Sequence, residues 1–84
     1  MLEKLKQHYF GLFNIEARDN YLQFEILSDD YNSLNHAIID DLIDYDINFD
    51  VEFDIDDYDQ TIAIIKVKLA DIEKLLNCLG VFND

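Results

Sequence analysis

The sequence predicts an α+β fold, in which helices pack on a four-stranded, mainly antiparallel sheet in the order α-ββ-α-ββ-α. Two stretches have apolar residues at every second position around short polar turns, which is typical of β-hairpins. Three other stretches have apolar residues three or four positions apart, which is typical of amphipathic helices. The 84 residues include no proline and two glycines, so no linker is expected and residues 1–84 are predicted to form a single domain.

Residues 2–27 are predicted to form a helix and a β-hairpin. The apolar spacing of Leu2, Leu5 and Tyr9 indicates a helix over residues 2–10, and Gly11 follows where a C-terminal cap is expected. Two runs with alternating apolar residues then flank Asp19-Asn20, which predicts a tight turn at that pair. The cross-strand pairs that this turn implies are Glu16 with Gln23 and Ile15 with Phe24.

The second helix is predicted over residues 31–44. Its candidate N-cap residues are Ser28, Asp29 and Asp30, and its apolar stripe consists of Leu34, Ile38, Leu42 and Tyr45. The outer side is predicted to carry Asn35, His36, Asp40, Asp41 and Asp44. Carboxylates in the last turns of a helix oppose its dipole, and a local preference violated in this way is typical of a functional position.

The third predicted element is the strand with the most regular pattern in the chain. From residue 46 to residue 56, apolar side chains alternate with acidic or amide side chains, which predicts one buried face and one acidic face. Asp is a poor strand former, so strand propensity does not explain the acidic row. Residues 57–60 are predicted to turn, and the β-branched stretch 61–69 is predicted to be the partner strand.

The pairing of these two strands is predicted from a three-residue loop that places Asp57 opposite Thr61. In this register, lysines lie opposite the acidic face and apolar residues meet on the core side. The predicted pairs are Glu52 with Lys66, Asp50 with Lys68, Val51 with Val67 and Phe53 with Ile65. The same register places Ile62 and Ile64 on the acidic face, where they need cover from another element or from a partner.

A third helix is predicted over residues 70–79, with the apolar stripe Ile72, Leu75, Leu76 and Leu79 and with Gly80 as its stop. The single cysteine, Cys78, is predicted to be a small core residue of this helix, and it allows no intramolecular disulfide. The chain has neither a signal-type start nor an apolar run of membrane-spanning length. It is therefore expected in the cytoplasm, that of the host cell if a phage encodes it.

Charge is the most informative property of the composition. The chain has 19 Asp and Glu against 6 Lys and Arg, a net charge of −13. Residues 29–59 hold twelve of these acids and no Lys or Arg. This balance disfavours direct binding to nucleic acid and to anionic membranes, and it favours a basic partner. A solvated face that only aids solubility is the alternative explanation of the acidity.

No catalytic, metal or cofactor site is predicted. The two histidines, His8 and His36, have no Ser or Cys nucleophile in a recognisable setting. Both glycines are isolated, so there is no phosphate-binding loop. The acidic stretch around Asp54–Asp59 does not fit a calcium-binding EF-hand loop, because the positions that require Gly or Glu hold other residues.

In size, charge and the acidic row Asp46–Asp59, the chain resembles the small DNA-mimic inhibitors encoded by phages and mobile elements, which include anti-restriction and anti-CRISPR proteins. The resemblance includes no sequence motif, so no residue roles transfer from it. It implies a non-catalytic protein that presents an acidic surface to the basic groove of a nucleic-acid-binding protein, such as a nuclease or an effector complex. The residues expected to stand in for phosphates are Asp40, Asp41, Asp44, Asp46, Asp50, Glu52, Asp54, Asp56, Asp57 and Asp59.

Two other classes of function stay open. An immunity protein or antitoxin that neutralises a basic toxin would have the same electrostatics. A homodimeric structural or regulatory domain is the third hypothesis, with Tyr58, Ile62 and Ile64 as its contact. A mimic competes with nucleic acid for several basic proteins, an immunity protein binds one toxin, and a structural dimer associates with itself.

Overall fold

The computed structural model describes residues 2–28 and 36–80. It contains helix α1 (Leu2–His8), strands β1 (Phe13–Arg18) and β2 (Tyr21–Leu27), helix α2 (Ala37–Asp44), strands β3 (Phe49–Ile55) and β4 (Thr61–Lys68), and helix α3 (Leu69–Cys78). This arrangement confirms the α+β class and the predicted order of elements.

The four strands form one antiparallel sheet in the order β1-β2-β4-β3. β4, which follows β3 in the sequence, therefore lies between β2 and β3. Because both neighbours run antiparallel to β4, β2 and β3 are parallel to each other and α2 belongs to the connection between them. β1 and β3 are the two outer strands.

The helices pack on one face of the sheet. Their buried residues and those of the two central strands form a single hydrophobic cluster: Leu5, Tyr9, Ile38, Ile39, Leu42, Ile72, Leu75 and Leu76 from the helices, with Leu22, Phe24, Ile26, Ala63, Ile65 and Val67 from the sheet. The predicted stripes are thus confirmed at their central positions. Tyr45 is an exception, since it is 43% exposed.

The first hairpin turns at Asp19-Asn20, as predicted, and Glu16 lies opposite Gln23. The predicted regular pairing fails before this point, because β1 contains an irregularity between Phe13 and Glu16. Asn14, inside it, has a φ of 50°, a left-handed conformation that Asn tolerates better than most residues. Ile15 packs against the core, but it is not part of a regular pair with Phe24.

α2 begins later than predicted. Its first residue is Ala37, and His36 is its N-cap with an extended backbone, so the prediction of an unbroken helix through residue 36 is wrong. His36 is consequently not on the outer side of the helix. Ser28 directly follows β2 and is no cap of α2. The predictions for Asp29, Asp30, Leu34 and Asn35 concern residues that lie outside the described ranges.

β3 is shorter than the predicted strand at both ends. Asp46 belongs to the bend after α2, where it has a φ of 59° and where the N–H of Ile47 donates to the carbonyl of Leu42 at 2.9 Å. Asp56 follows the strand and starts the turn. The prediction that both Asp residues lie on the strand is therefore wrong.

The register between β3 and β4 differs from the prediction by two residues. The observed pairs are Asp50 with Lys66, Val51 with Ile65, Glu52 with Ile64, Phe53 with Ala63 and Asp54 with Ile62. The loop consists of residues 57–59, because the N–H of Asp56 donates to the carbonyl of Gln60 at 2.9 Å. Since side chains alternate between faces with a period of two, this shift leaves every side chain on its predicted face but changes its neighbours.

α3 begins one residue before the predicted helix, at Leu69, and ends at Cys78. Cys78 is exposed, so the prediction of a core cysteine is wrong. The reason is its position on the helix, since it lies outside the buried stripe of Ile72, Leu75 and Leu76.

Candidate partner-binding surface

Three carboxylates lie on the face of β3 that is opposite to the face on which the described helices pack. Asp50, Glu52 and Asp54 are exposed and occupy alternate positions of this outer strand. Alternate residues of a strand lie about 6.6–6.8 Å apart, so the row is about 13–14 Å long. The Asp54 carboxylate also accepts the N–H of Ile55 at 2.8 Å. Pairing with β4 holds this spacing, so the row is a fixed arrangement of charge.

The row has little compensating charge. The predicted pairing of Glu52 with Lys66 and of Asp50 with Lys68 is wrong, and only Asp50 has a lysine opposite it. In the described part of the chain, the ion pair within 4.0 Å is Arg18 with Glu16, at 2.6 Å on the opposite edge of the sheet. The neighbours across the ladder are Lys66 for Asp50, Ile64 for Glu52 and Ile62 for Asp54.

The β3–β4 turn extends the acidity of the strand. The carboxylate of Asp56 accepts the N–H of Tyr58 at 2.9 Å and that of Gln60 at 2.8 Å, which is typical of an Asx turn. Asp59 has a φ of 58°, which Asp tolerates better than most residues. Asp57 and Asp59 are exposed. Asp56 therefore holds the turn, whereas the other two carboxylates continue the acidic row beyond the end of β3.

The acids of α2 lie on the other side of the sheet. The helix packs its apolar stripe into the core, and Asp40 and Asp44 are exposed on its outer side. Asp41 is half-buried and accepts a hydrogen bond from the Tyr9 hydroxyl at 2.5 Å. The pKa of Tyr9 is raised well above its usual value. Burial of the ring is the largest cause, and the hydrogen bond to the Asp41 carboxylate is the next. Asp41 thus connects α2 with the α1 segment.

The ten residues predicted to contact a partner are consequently divided by the sheet. Five of them lie together on β3 and its turn, and we call these the strand–turn surface: Asp50, Glu52, Asp54, Asp57 and Asp59. The carboxylates of Asp40, Asp41 and Asp44 belong to the helix layer, Asp46 to the bend and Asp56 to the interior of the turn. The periodicity of the sequence indicated the strand row, but it carried no information on the face that α2 covers.

The residues predicted for self-association differ in exposure. Tyr58 is 84% exposed, Ile64 is half-buried and Ile62 is 7% exposed, so the chain itself already covers Ile62. Sequence reasoning missed two exposed apolar residues of this region, Ile55 and Leu27. Leu27 lies opposite Ile62 only because β2 and β4 are neighbours in the sheet, an order that the pattern did not determine.

His36 is a structural residue that sequence reasoning also missed, since histidine is not among the preferred N-caps. Among residues 2–28 and 36–80, no three His, Cys, Asp or Glu side chains are grouped so that they would hold a metal ion. In the same residues, no helix has both the length and the apolar character needed to cross a membrane.

Comparison with known proteins adds no family to this description. No protein-family model matches the chain, and no match was found among the curated proteins or the solved structures. The geometry and charge of the surface are therefore the basis for a functional proposal.

Proposed function

We propose that the chain is a non-catalytic inhibitor that occupies the basic nucleic-acid groove of a nuclease or effector complex with its strand–turn surface. One observation supports this proposal: an ordered edge strand presents exposed carboxylates at fixed intervals, and only Asp50 among those on the strand has a cation opposite it. Charges that are positioned before binding steer a basic partner and lose little entropy on association. The same acidity opposes direct contact with nucleic acid and with anionic membranes.

The strand–turn surface has the dimensions of a short phosphate-binding site. One strand of duplex DNA carries a phosphate about every 3.4 Å along the axis, which is about four over the length of the Asp50–Asp54 row. Three carboxylates over this distance approach that charge without reaching it, and Asp57 and Asp59 add two at the turn. The proposed contact is therefore local, with a few phosphate subsites of the groove. A partner of this kind places the protein in the cytoplasm.

Charge neutralisation without change of shape tests the proposal. A strand–turn variant combines Asp50→Asn, Glu52→Gln, Asp57→Asn and Asp59→Asn, and it leaves the turn-holding Asp56 intact. A matched variant neutralises four exposed acids elsewhere: Glu3→Gln, Asp40→Asn, Asp44→Asn and Glu73→Gln. Both variants lose the same net charge, so any difference between them depends on position.

The experiment measures how well each variant displaces labelled duplex DNA from purified restriction endonucleases and CRISPR effector complexes. The natural chain is expected to displace DNA from at least one of them, with an effect that weakens as salt rises. The matched variant is expected to retain this effect and the strand–turn variant to lose it. Equal competition by the two variants, or no displacement from any protein of the panel, would exclude the proposed surface.

An immunity protein or antitoxin is the second candidate, and one observation favours it. Tyr58 is 84% exposed at the tip of the turn, between Asp57 and Asp59. An aromatic residue inside a polar rim is typical of an energetic hot spot in a protein interface. In this case Tyr58→Ala abolishes binding to a single toxin, whereas a mimic that relies on charge tolerates the change. A structural homodimer would instead appear as self-association in sedimentation equilibrium.

A further inference from the structure

A second feature lies at the end of the sheet where β3 begins, remote from the β3–β4 turn. An open cleft of about 410 Å³ lies between the first residues of β3, the last residues of β4 and the β1–β2 turn. Its size is in the range of small-molecule sites. The polar side chains and the aromatic ring that matter for its chemistry are those of Asn20, Tyr21, Asn48, Asp50, Lys66 and Lys68.

The cleft concentrates positive charge in a chain that has little of it. Lys66 and Lys68 are two of the six Lys and Arg residues. Among the described residues, neither has a carboxylate within 4.0 Å. The Lys66 ammonium lies 6.0 Å from the centre of the Tyr21 ring, at the outer limit of a cation–π interaction. Each ammonium has three donors and no acceptor, which favours an occupant rich in acceptor atoms.

From this placement we propose that the cleft is a binding site for a small anion, whose carboxylate or phosphate group accepts hydrogen bonds from Lys66 and Lys68. The amides of Asn20 and Asn48 can bond to the rest of such a ligand. This proposal does not depend on the proposed inhibitor function, although Asp50 belongs both to the strand–turn surface and to the lining of the cleft. Although the net charge of the chain repels anions, charges farther away than about 8 Å are largely screened at physiological ionic strength. The nearby ammonium groups therefore make the largest contribution to the electrostatic potential in the cleft. The carboxylate of Asp50 is the nearby negative charge that opposes them.

Amide NMR shifts of the full chain provide the test. Inorganic phosphate and acetate are titrated separately as sodium salts, with sodium chloride keeping the ionic strength constant. We expect saturable shifts around residues 20–21, 48–50 and 66–68. Loss of one charged hydrogen bond corresponds to about tenfold or more in affinity, so Lys66→Met with Lys68→Met is expected to weaken binding at least that much.

Two variants separate a built site from general attraction between ions. Lys74→Met removes an exposed lysine of α3 and is expected to leave the titration unchanged. Asp50→Asn removes the opposing carboxylate and is expected to strengthen binding, which keeps the test decisive if the double lysine variant fails to fold. A response to phosphate alone or to acetate alone identifies the anionic group. Shifts that do not saturate, or that are equal in all variants, would overturn the proposal.

Discussion

The Nε2 atom of His36 lies 2.7 Å from the carbonyl oxygen of Phe10. The Nδ1 atom of the same ring accepts the N–H of Ile38 at 3.3 Å. Since a carbonyl oxygen only accepts and Nδ1 here must accept, the proton of the neutral ring is assigned to Nε2. The imidazole of His36 thus connects the segment between α1 and β1 to the N-terminus of α2.

We expect His36→Ala to lower the free energy of unfolding by about 1–2 kcal/mol, because the loss of an N-cap costs about 1 kcal/mol and the bond to Phe10 is lost as well. Urea denaturation followed by circular dichroism measures the change. His8→Ala is the control, since His8 is exposed on α1. Equal losses in the two variants would contradict the connecting role of His36.

Gly11→Ala is expected to destabilise the chain for two reasons. Gly11 has a φ of 83°, which costs a residue with a Cβ about 1–2 kcal/mol, and that Cβ would lie 3.2 Å from the His36 Nε2. Gly80→Ala carries the same type of backbone cost, at a φ of 74°, without any atom within 4 Å. The loss of unfolding free energy should be greater at Gly11. Adding His36→Ala should remove that difference, and additive effects would contradict the contact.

Asp56→Ala is expected to lower the unfolding free energy by about 1–2 kcal/mol, because two hydrogen bonds of about 0.5–1.5 kcal/mol each hold the β3–β4 turn. Asp57→Ala, at the next position, removes an exposed carboxylate from a crowded acidic region. It should leave stability unchanged or raise it slightly. Thermal denaturation of the two variants provides the comparison, and equal melting temperatures would contradict the assigned role of Asp56.

The raised pKa of Tyr9 predicts a loss of stability in alkali. Unfolded tyrosine loses its proton near pH 10, whereas the folded chain keeps the proton on Tyr9 above that pH. The contribution of Tyr9 to the free energy of unfolding is therefore complete below about pH 10. It decreases above that pH, with a slope that approaches about 1.4 kcal/mol per pH unit. Denaturant titrations between about pH 9 and 11 should show that Tyr9→Phe reduces this slope. An equal slope in the natural chain and in the Tyr9→Phe variant would contradict this role of Tyr9.

The position of carboxylates along α2 predicts opposite effects for two similar substitutions. Asp44 lies at the last residue of the helix, where a negative charge opposes the dipole, so Asp44→Asn should raise the unfolding free energy by about 0.3–1 kcal/mol. Asp40 lies in the first turn and is favourably placed, so Asp40→Asn should give no such gain. Chemical denaturation at low salt measures both, and a gain at Asp40 alone would contradict the dipole explanation.

The alternation of apolar residues was sufficient to predict both faces of β3 and β4, because a face depends only on the period of two. Their register depends on the loop, in which several residues can occupy the left-handed position. Asp59 occupies it, which shifts the loop by one residue and the pairing by two. The period-two pattern of apolar residues does not determine which loop residue takes the left-handed conformation, so it does not determine the register.

The start of α2 was mispredicted for a different reason. Residues 28–30 are all good N-caps, so local preference favoured an early start. His36 caps the helix although its residue type is not a preferred cap, and its ring also bonds to Phe10, far away in the sequence. A tertiary contact of this kind overrides local propensity.

The acidic row of the candidate site was predictable from residues 46–59 alone. Its separation from the acids of α2 was not, because the relation of the two groups depends on the face that the helix covers. The open-face neighbours of Glu52 and Asp54, two isoleucines, likewise follow from the observed register.

The central place of β4 has a consequence for the synthesis of the chain. When a ribosome has added residue 60, the residues of β1, β2 and β3 have been synthesised. The residues of β4, which separates β2 from β3 in the sheet, have not. β3 gains its regular spacing only when residues 61–68 emerge and pair on both sides. The carboxylates of β3 are thus aligned only after β4 has been synthesised, and a chain cut before Thr61 would lack the support for that alignment.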